Sequence, residues 1–109
     1  MLAALYNQEG NFPEAEKYLL AALEKDKAAE NSPGIGKDLF AIGSVYQRQG
    51  QNEDALIYYS RALSVFNAFG NTEETEKTLF RLIDTANALG RKEEAARYRI
   101  LLESLRSGK

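Results

Sequence analysis

Apolar residues recur three and four positions apart along most of the chain. In the central part they fall at Leu39, Ile42, Gly43 and Tyr46 and then, after a polar break, at Ala55, Tyr59, Ala62, Leu63 and Phe66. This spacing predicts helices that each bury one face, and no sustained alternation of period two indicates a strand. The predicted fold class is therefore all-α.

Turn and capping residues divide this pattern into six helices. Ser32 before Pro33 predicts a helix that starts with Ser32 as its N-cap, and Asn71 or Thr72 before two glutamates predicts another start. A glycine that follows an apolar run predicts a left-handed C-terminal cap, as at Gly50, Gly70 and Gly90. The predicted helices span residues 1–9, 13–30, 33–49, 52–69, 72–89 and 92–106, and they pair as three antiparallel hairpins.

The chain also repeats itself with a period of 40 residues. A shift by 40 gives 16 identities in 69 comparable pairs, whereas composition alone predicts roughly 6. Three columns recur in full: Gly10, Gly50 and Gly90; Ala15, Ala55 and Ala95; Tyr18, Tyr58 and Tyr98. A repeated helical hairpin that cannot bury its apolar face alone predicts stacking of neighbouring units.

Composition excludes several classes of function. The 109 residues contain no Cys and no His, which rules out disulfides, thiolate and imidazole catalysis and Cys/His metal sites. The net charge of −2 is too balanced for a general nucleic-acid or anionic-membrane binder. The first residues lack the basic start and apolar length of a signal peptide, so we expect a cytoplasmic protein.

The segment GSVYQRQGQNEDALIYYSRAL, over residues 43–63, resembles a tetratricopeptide repeat. The positions that carry the likeness are Ile42, Gly43, Tyr46, Gly50, Ala55, Tyr59 and Ala62. The first unit matches through Leu2, Ala3, Tyr6, Gly10, Ala15 and Ala22, with Leu19 at the aromatic position. The third unit matches through Leu82, Gly90 and Ala95 but departs from the pattern at Ala86, Arg99 and Leu102. The 40-residue spacing is similar to a longer-helix variant of the family.

The resemblance implies a right-handed superhelical solenoid of about three antiparallel helix hairpins. It forms one domain over residues 1–109, with units of about 1–30, 33–70 and 72–106, the first truncated at its start. The first helix of each unit lines a concave groove, which implies a non-catalytic scaffold that binds a peptide or protein segment. No cofactor or metal is implied.

Eleven residues are candidates for contact with a ligand in that groove. They are Asn7, Lys37, Phe40, Ser44, Gln47, Arg48, Lys77, Phe80, Arg81, Asp84 and Asn87. Asn7, Gln47 and Asn87 lie 40 residues apart and form a ladder of carboxamides. Each carboxamide both donates and accepts hydrogen bonds, as binding of an extended peptide backbone requires. The competing interpretation is that they are ordinary solvated polar positions.

Basic candidates in the groove favour an acidic peptide. Lys77 and Arg81 lie one helical turn apart and match two positions of the carboxylate clamp by which some tetratricopeptide domains hold chaperone C-termini. Ala4 and Ala41 stand where that clamp needs asparagine, so the resemblance does not extend to the whole clamp. The alternative is that the two cations are surface residues paired with acids, among them Asp38, Asp84 and Glu74.

Apolar residues near both ends predict contacts beyond one chain. They are Leu2, Leu5, Ile100, Leu101 and Leu105. Two alternative functions follow: a structural module that forms homo-oligomers through its terminal helices, or a regulatory fragment of a larger protein.

Overall fold

The described part of the chain consists entirely of helices and short turns. The computed structural model describes residues 10–107, which form α1 (Phe12–Ala28), α2 (Ser32–Arg48), α3 (Asn52–Ala68), α4 (Thr72–Ala88) and α5 (Lys92–Arg106). Successive helices begin 20 residues apart, and the all-α prediction is confirmed. The helix predicted over residues 1–9 lies outside the described residues.

The helices end as the glycine pattern predicts, although one or two residues earlier. Gly50, Gly70 and Gly90 have φ angles of +77°, +72° and +74°, so the left-handed caps are confirmed there. After α1 the same conformation falls on Glu30, with φ of +54°. The residues just before these caps belong to the turns, which is why the predicted helices were too long.

Asparagine, rather than serine, caps the two helices whose starts the sequence marks most clearly. The Asn31 side chain accepts a hydrogen bond from the Gly34 backbone N–H at 3.4 Å, and that of Asn71 accepts one from the Glu74 N–H at 3.1 Å. The prediction of Ser32 as an N-cap is therefore wrong by one residue, because Ser32 already lies in the first turn of α2.

Helix α3 lies between two hydrophobic clusters. One joins α1, α2 and α3 through Ala15, Leu19, Leu23, Leu39, Ile42, Val45, Ala62 and Phe66. The other joins α3, α4 and α5 through Ala55, Leu56, Tyr59, Leu79, Leu82, Ala86, Ala95 and Leu102. Most packing is between helices adjacent in sequence, which is the arrangement of a helical repeat solenoid.

A carboxyl pair joins α1 to α2. Asp38 is 7% exposed, and its Oδ2 has no hydrogen-bond partner among the described residues. Burial, together with the hydrogen bond to Asp26 and its negative charge, raises the pKa of Asp38 to about 7. Hydrogen bonds from Asp38 and from the Asn31 amide, the latter at 3.1 Å, lower the pKa of Asp26. The two opposite shifts favour a protonated Asp38 beside an ionised Asp26 below about pH 7.

Because the pKa of Asp38 is raised in the folded protein, we expect the free energy of unfolding to fall as the pH rises toward 7. The folded protein keeps the Asp38 proton up to about pH 7, whereas an unfolded carboxyl with a pKa of 3.8 has already released it. We expect the free energy of unfolding to be roughly 1–2 kcal/mol lower at pH 8 than at pH 5, within a limit of about 3 kcal/mol set by the pKa of about 7. Urea denaturation followed by circular dichroism measures the difference.

Two variants separate this pair from other titrating groups. Asp38→Asn keeps a donor to Asp26 without the titrating proton, so it should remove most of the difference between pH 5 and pH 8. Asp84→Asn changes an exposed carboxyl and should retain it. An Asp38→Asn profile parallel to that of the wild type would contradict the prediction.

Candidate functional site

Two basic side chains of α4 lie over an aromatic ring of α2. Lys77 Nζ is 5.4 Å and Arg81 Cζ 5.9 Å from the centroid of the Phe40 ring, which is within the range of cation–π attraction. The ion pairs found among residues 10–107 involve the cations of Lys27, Arg91 and Arg106. Neither Lys77 nor Arg81 is therefore paired with Asp38, Asp84 or Glu74, and both positive charges remain on this surface.

Tyr59 of α3 packs against Phe40 in the protein interior. Its ring is fully buried and lies 5.2 Å from the Phe40 ring, tilted by 58°. Its hydroxyl donates a hydrogen bond to Gln47 Oε1 at 2.7 Å. Burial raises the pKa of this hydroxyl, while the positive charge of Arg81 and a hydrogen bond from Ser44 lower it. The hydroxyl thus lies among side chains of both α2 and α4.

A glycine in α2 makes room for Tyr59. A Cβ atom added at Gly43 would lie 2.8 Å from Tyr59 Cδ1, closer than carbon atoms pack. The corresponding positions one unit later hold Ile83 and Arg99. The close approach of helix backbone to aromatic ring is therefore a feature of the α2–α3 pair.

The structure brings six of the predicted ligand residues together around Tyr59: Phe40, Ser44, Gln47, Lys77, Arg81 and Asp84. We call this set, with Tyr59, the α2/α4 cluster. Lys77, Arg81 and Asp84 are exposed, whereas Phe40, Ser44 and Gln47 are partly buried.

The remaining predicted ligand residues lie apart from this cluster or outside the described residues. Arg48 Cζ lies 5.5 Å from the centroid of the Phe12 ring, and Arg106 Cζ lies 5.0 Å from that of the Phe80 ring, which is still 44% exposed. Lys37 and Asn87 are exposed. Asn7 lies outside residues 10–107.

The Gln47 member of the predicted carboxamide ladder has a partner inside the protein. The Tyr59 hydroxyl donates to Gln47 Oε1, which uses one of the two lone pairs of that oxygen and leaves the other lone pair and the amino group available. Sequence reasoning treated Tyr59 only as a packing residue. The signal that it missed is a tyrosine, rather than a phenylalanine, at a position with no exposed surface, where the hydroxyl requires a partner.

Two of the apolar residues predicted for self-association, Ile100 and Leu101, are exposed on α5. Ile100 is 64% and Leu101 51% exposed, while Leu105 is partly buried. Leu101 and Leu105 line a cleft of about 180 Å³, the α5 cleft, together with Leu63, Asn67, Thr75, Leu79 and Ser104. Leu2 and Leu5 lie outside the described residues.

Residues 10–107 contain neither a metal-binding cluster nor a membrane-spanning helix. This part of the chain contains no group of three or more acidic side chains placed to hold a metal ion. Its helices are also too short or too polar to cross a lipid bilayer.

The Gly43–Tyr59 contact predicts strong coupling between these two positions. Gly43→Ala should destabilise the protein by about 1–3 kcal/mol, because the buried ring must shift to admit the methyl group. Tyr59→Leu shortens the opposing side chain, so the double variant should be at least about 1 kcal/mol more stable than the sum of the single effects predicts. Urea denaturation of all four proteins measures the coupling, and additive effects would contradict it.

Comparison with known proteins identifies the repeat. A sequence model described as tetratricopeptide repeat matches residues 1–68 and 37–99. The fold is similar to the crystal structure of the TPR domain of Arabidopsis FLU, with a TM-score of 0.82 and 18% sequence identity, over 99% of this chain and 91% of that one. A search of curated proteins found no match.

Proposed function

Because the chain belongs to the tetratricopeptide repeat family, whose domains are in general non-catalytic scaffolds for protein interactions, we propose that it binds an acidic protein segment at the α2/α4 cluster. In this proposal residues 1–109 form one domain of stacked units, about 1–30, 33–70 and 72–106. The first helices of the units line a concave groove in which the segment lies. The protein acts in the cytoplasm and has no chemistry of its own.

One observation carries the proposal. Lys77 and Arg81 lie over Phe40 without an acidic partner among the described residues. Two unneutralised cations on one surface create a local positive potential in a chain whose net charge is −2. A peptide carboxylate would gain from that potential, and the apolar part of its side chain would gain from contact with the partly exposed Phe40.

We expect reversal of these two charges to abolish selection of acidic ligands. A displayed library of random dodecapeptides, selected on the wild type, should enrich Asp and Glu. The variant Lys77→Glu/Arg81→Glu should bind the enriched peptides at least about fivefold more weakly, because attraction is replaced by repulsion. Fluorescence anisotropy with the synthesised peptides measures the change.

A matched variant controls for overall charge. Lys17→Glu/Arg97→Glu makes the same change in net charge at exposed positions of α1 and α5, away from the α2/α4 cluster. It should leave affinity for the selected peptides within about twofold at moderate salt. Equal losses in both double variants, or selection of peptides without acidic enrichment, would contradict an acidic ligand. A library that yields no binder would contradict peptide binding itself.

Self-association is a second candidate function. The observation in its favour is the adjacent exposed pair Ile100 and Leu101 on α5, of which Leu101 lines the α5 cleft, since exposed apolar side chains next to an apolar cleft commonly mark an interface. A second copy of the chain is the proposed occupant.

We expect the wild type to form dimers as its concentration rises. The variant Ile100→Glu/Leu101→Glu should stay at the monomer mass of 12.2 kDa, because burial of an unpaired charge in the interface costs more free energy than the contact provides. Ile57→Glu is the control, since Ile57 is 52% exposed on α3. Sedimentation equilibrium measures the masses. A wild type that is monomeric throughout, or equal effects of the two substitutions, would rule out this interface.

A further inference from the structure

The carboxyl groups of Asp26 and Asp38 meet where α1 packs against α2, a contact that we call the α1/α2 joint. Asp26 lies in the last turn of α1, and Asp38 lies in the second turn of α2. Asp38 is 7% exposed, and its Oδ2 has no hydrogen-bond partner among the described residues. A negative charge on Asp38 would therefore be poorly solvated as long as the two helices stay together.

The start of α2 leaves Asp26 little room to move away from Asp38. A Cβ atom added at Gly34 would lie 2.6 Å from Asp26 Oδ2, so the backbone of the first turn of α2 lies against this carboxylate. The Asn31 side-chain amide donates to Asp26 Oδ1 at 3.1 Å. Ionisation of Asp38 would place a second negative charge beside a carboxylate that is already held, and the repulsion would act between the two helices.

Few other charges reach the α1/α2 joint. From α1, Lys25 stabilises the ionised form of Asp26. From α3, the uncharged ring of Phe66 lies against Gly36 of α2. Within residues 10–107, Asp26 is the charged group that acts on Asp38. No cation thus neutralises Asp38 once it has lost its proton.

Helix α1 has few buried side chains to resist this repulsion. It buries Ala15, Leu19 and Leu23, whereas six residues of α2 are buried. The turn between the two helices also passes through Glu30 with φ of +54°, a conformation that costs free energy in a residue other than glycine. An element with few buried contacts is among the first to open in a folded protein.

The next joint, between α3 and α4, contains no such pair. Forty residues after Asp26 and Asp38, the chain has Phe66 and Thr78. The Thr78 hydroxyl donates to the Glu74 carbonyl of its own helix at 2.8 Å. Because neither side chain is an acid, the contact between α3 and α4 has no corresponding sensitivity to pH.

We propose that the α1/α2 joint is a pH-sensitive switch, in which α1 stays docked on α2 while Asp38 is protonated and undocks reversibly once Asp38 is ionised, with α3, α4 and α5 still folded. Undocking would uncover Leu39 and Ile42, which pack in the same cluster as the buried residues of α1, so an apolar face becomes accessible at higher pH. The proposal depends on neither peptide binding nor self-association.

The sign and range of the effect follow from linkage. Burial and Asp26 raise the pKa of Asp38 to about 7 in the docked state, whereas an undocked carboxyl has a pKa near 3.8. Undocking therefore releases a proton between these two values. It becomes more favourable as the pH rises toward 7 and levels off above that.

Amide hydrogen exchange of the wild type, corrected for the intrinsic exchange rate, tests the switch. The protection factors of the Leu19 and Leu23 amides should fall about tenfold between pH 5 and pH 8. Helix α5 buries Ala95 and Leu102 and can open while α1 stays on α2, so protection of the Leu102 amide should change less than about twofold. Equal falls in α1 and α5, or constant protection in α1, would overturn the proposal.

A variant taken from the repeat itself tests the role of Asp38. Asp38→Thr introduces the residue found at the equivalent position 78, whose hydroxyl bonds within its own helix. Protection in α1 should then be independent of pH over the same range, whereas the control Asp84→Asn should show the wild-type fall. An undiminished fall in Asp38→Thr would assign the effect to another group and refute the switch. Should this variant not fold, the comparison of α1 with α5 in the wild type still decides.

Discussion

The absence of a side chain at Gly43 is the constraint on which the α2/α4 cluster depends. It lets the α2 backbone approach the Tyr59 ring so closely that a Cβ atom would lie 2.8 Å from the ring. The ring in turn supports Phe40, and its hydroxyl reaches Gln47. Lys77 and Arg81 of α4 lie over the Phe40 ring. A packing requirement between two helices therefore fixes a polar arrangement on the surface of a third.

The repeat provides this geometry once in the described residues. The unit that follows has Ile83 and Arg99 where the middle unit has Gly43 and Tyr59. Ile83 is partly buried and Arg99 is exposed, and the two helices still pack, but neither position offers a buried aromatic hydroxyl to orient a neighbour. Likewise Asp38 is replaced by Thr78, whose hydroxyl bonds to the Glu74 carbonyl of its own helix at 2.8 Å. Stacked units thus share a scaffold while their surfaces differ.

Sequence periodicity was sufficient for the fold, because helix spacing, glycine caps and small residues at helix contacts are local or repeat in register. Gly50, Gly70 and Gly90 could be assigned from this pattern, whereas Glu30 could not, since glutamate has no preference for positive φ. The candidate site was predicted in part. Phe40, Lys77 and Arg81 followed from register, but the Tyr59–Gln47 bond and the Asp26–Asp38 pair depend on which side chains meet across helices. No spacing rule contains that information.

Lys77 and Arg81 are held by an aromatic ring rather than by an acid, and this difference affects their availability to a ligand. An ion pair would have fixed Lys77 or Arg81 equally well, but the acid would have cancelled the charge that a ligand could meet. An aromatic ring attracts a cation through its quadrupole and carries no net charge. Phe40 therefore restricts both side chains while their positive potential remains directed at solvent. Restriction lowers the conformational entropy that binding would otherwise cost, and the retained charge is the basis of the proposed preference for acidic segments. Both effects follow from one ring, which is itself held in place by the contact with Tyr59 that Gly43 permits.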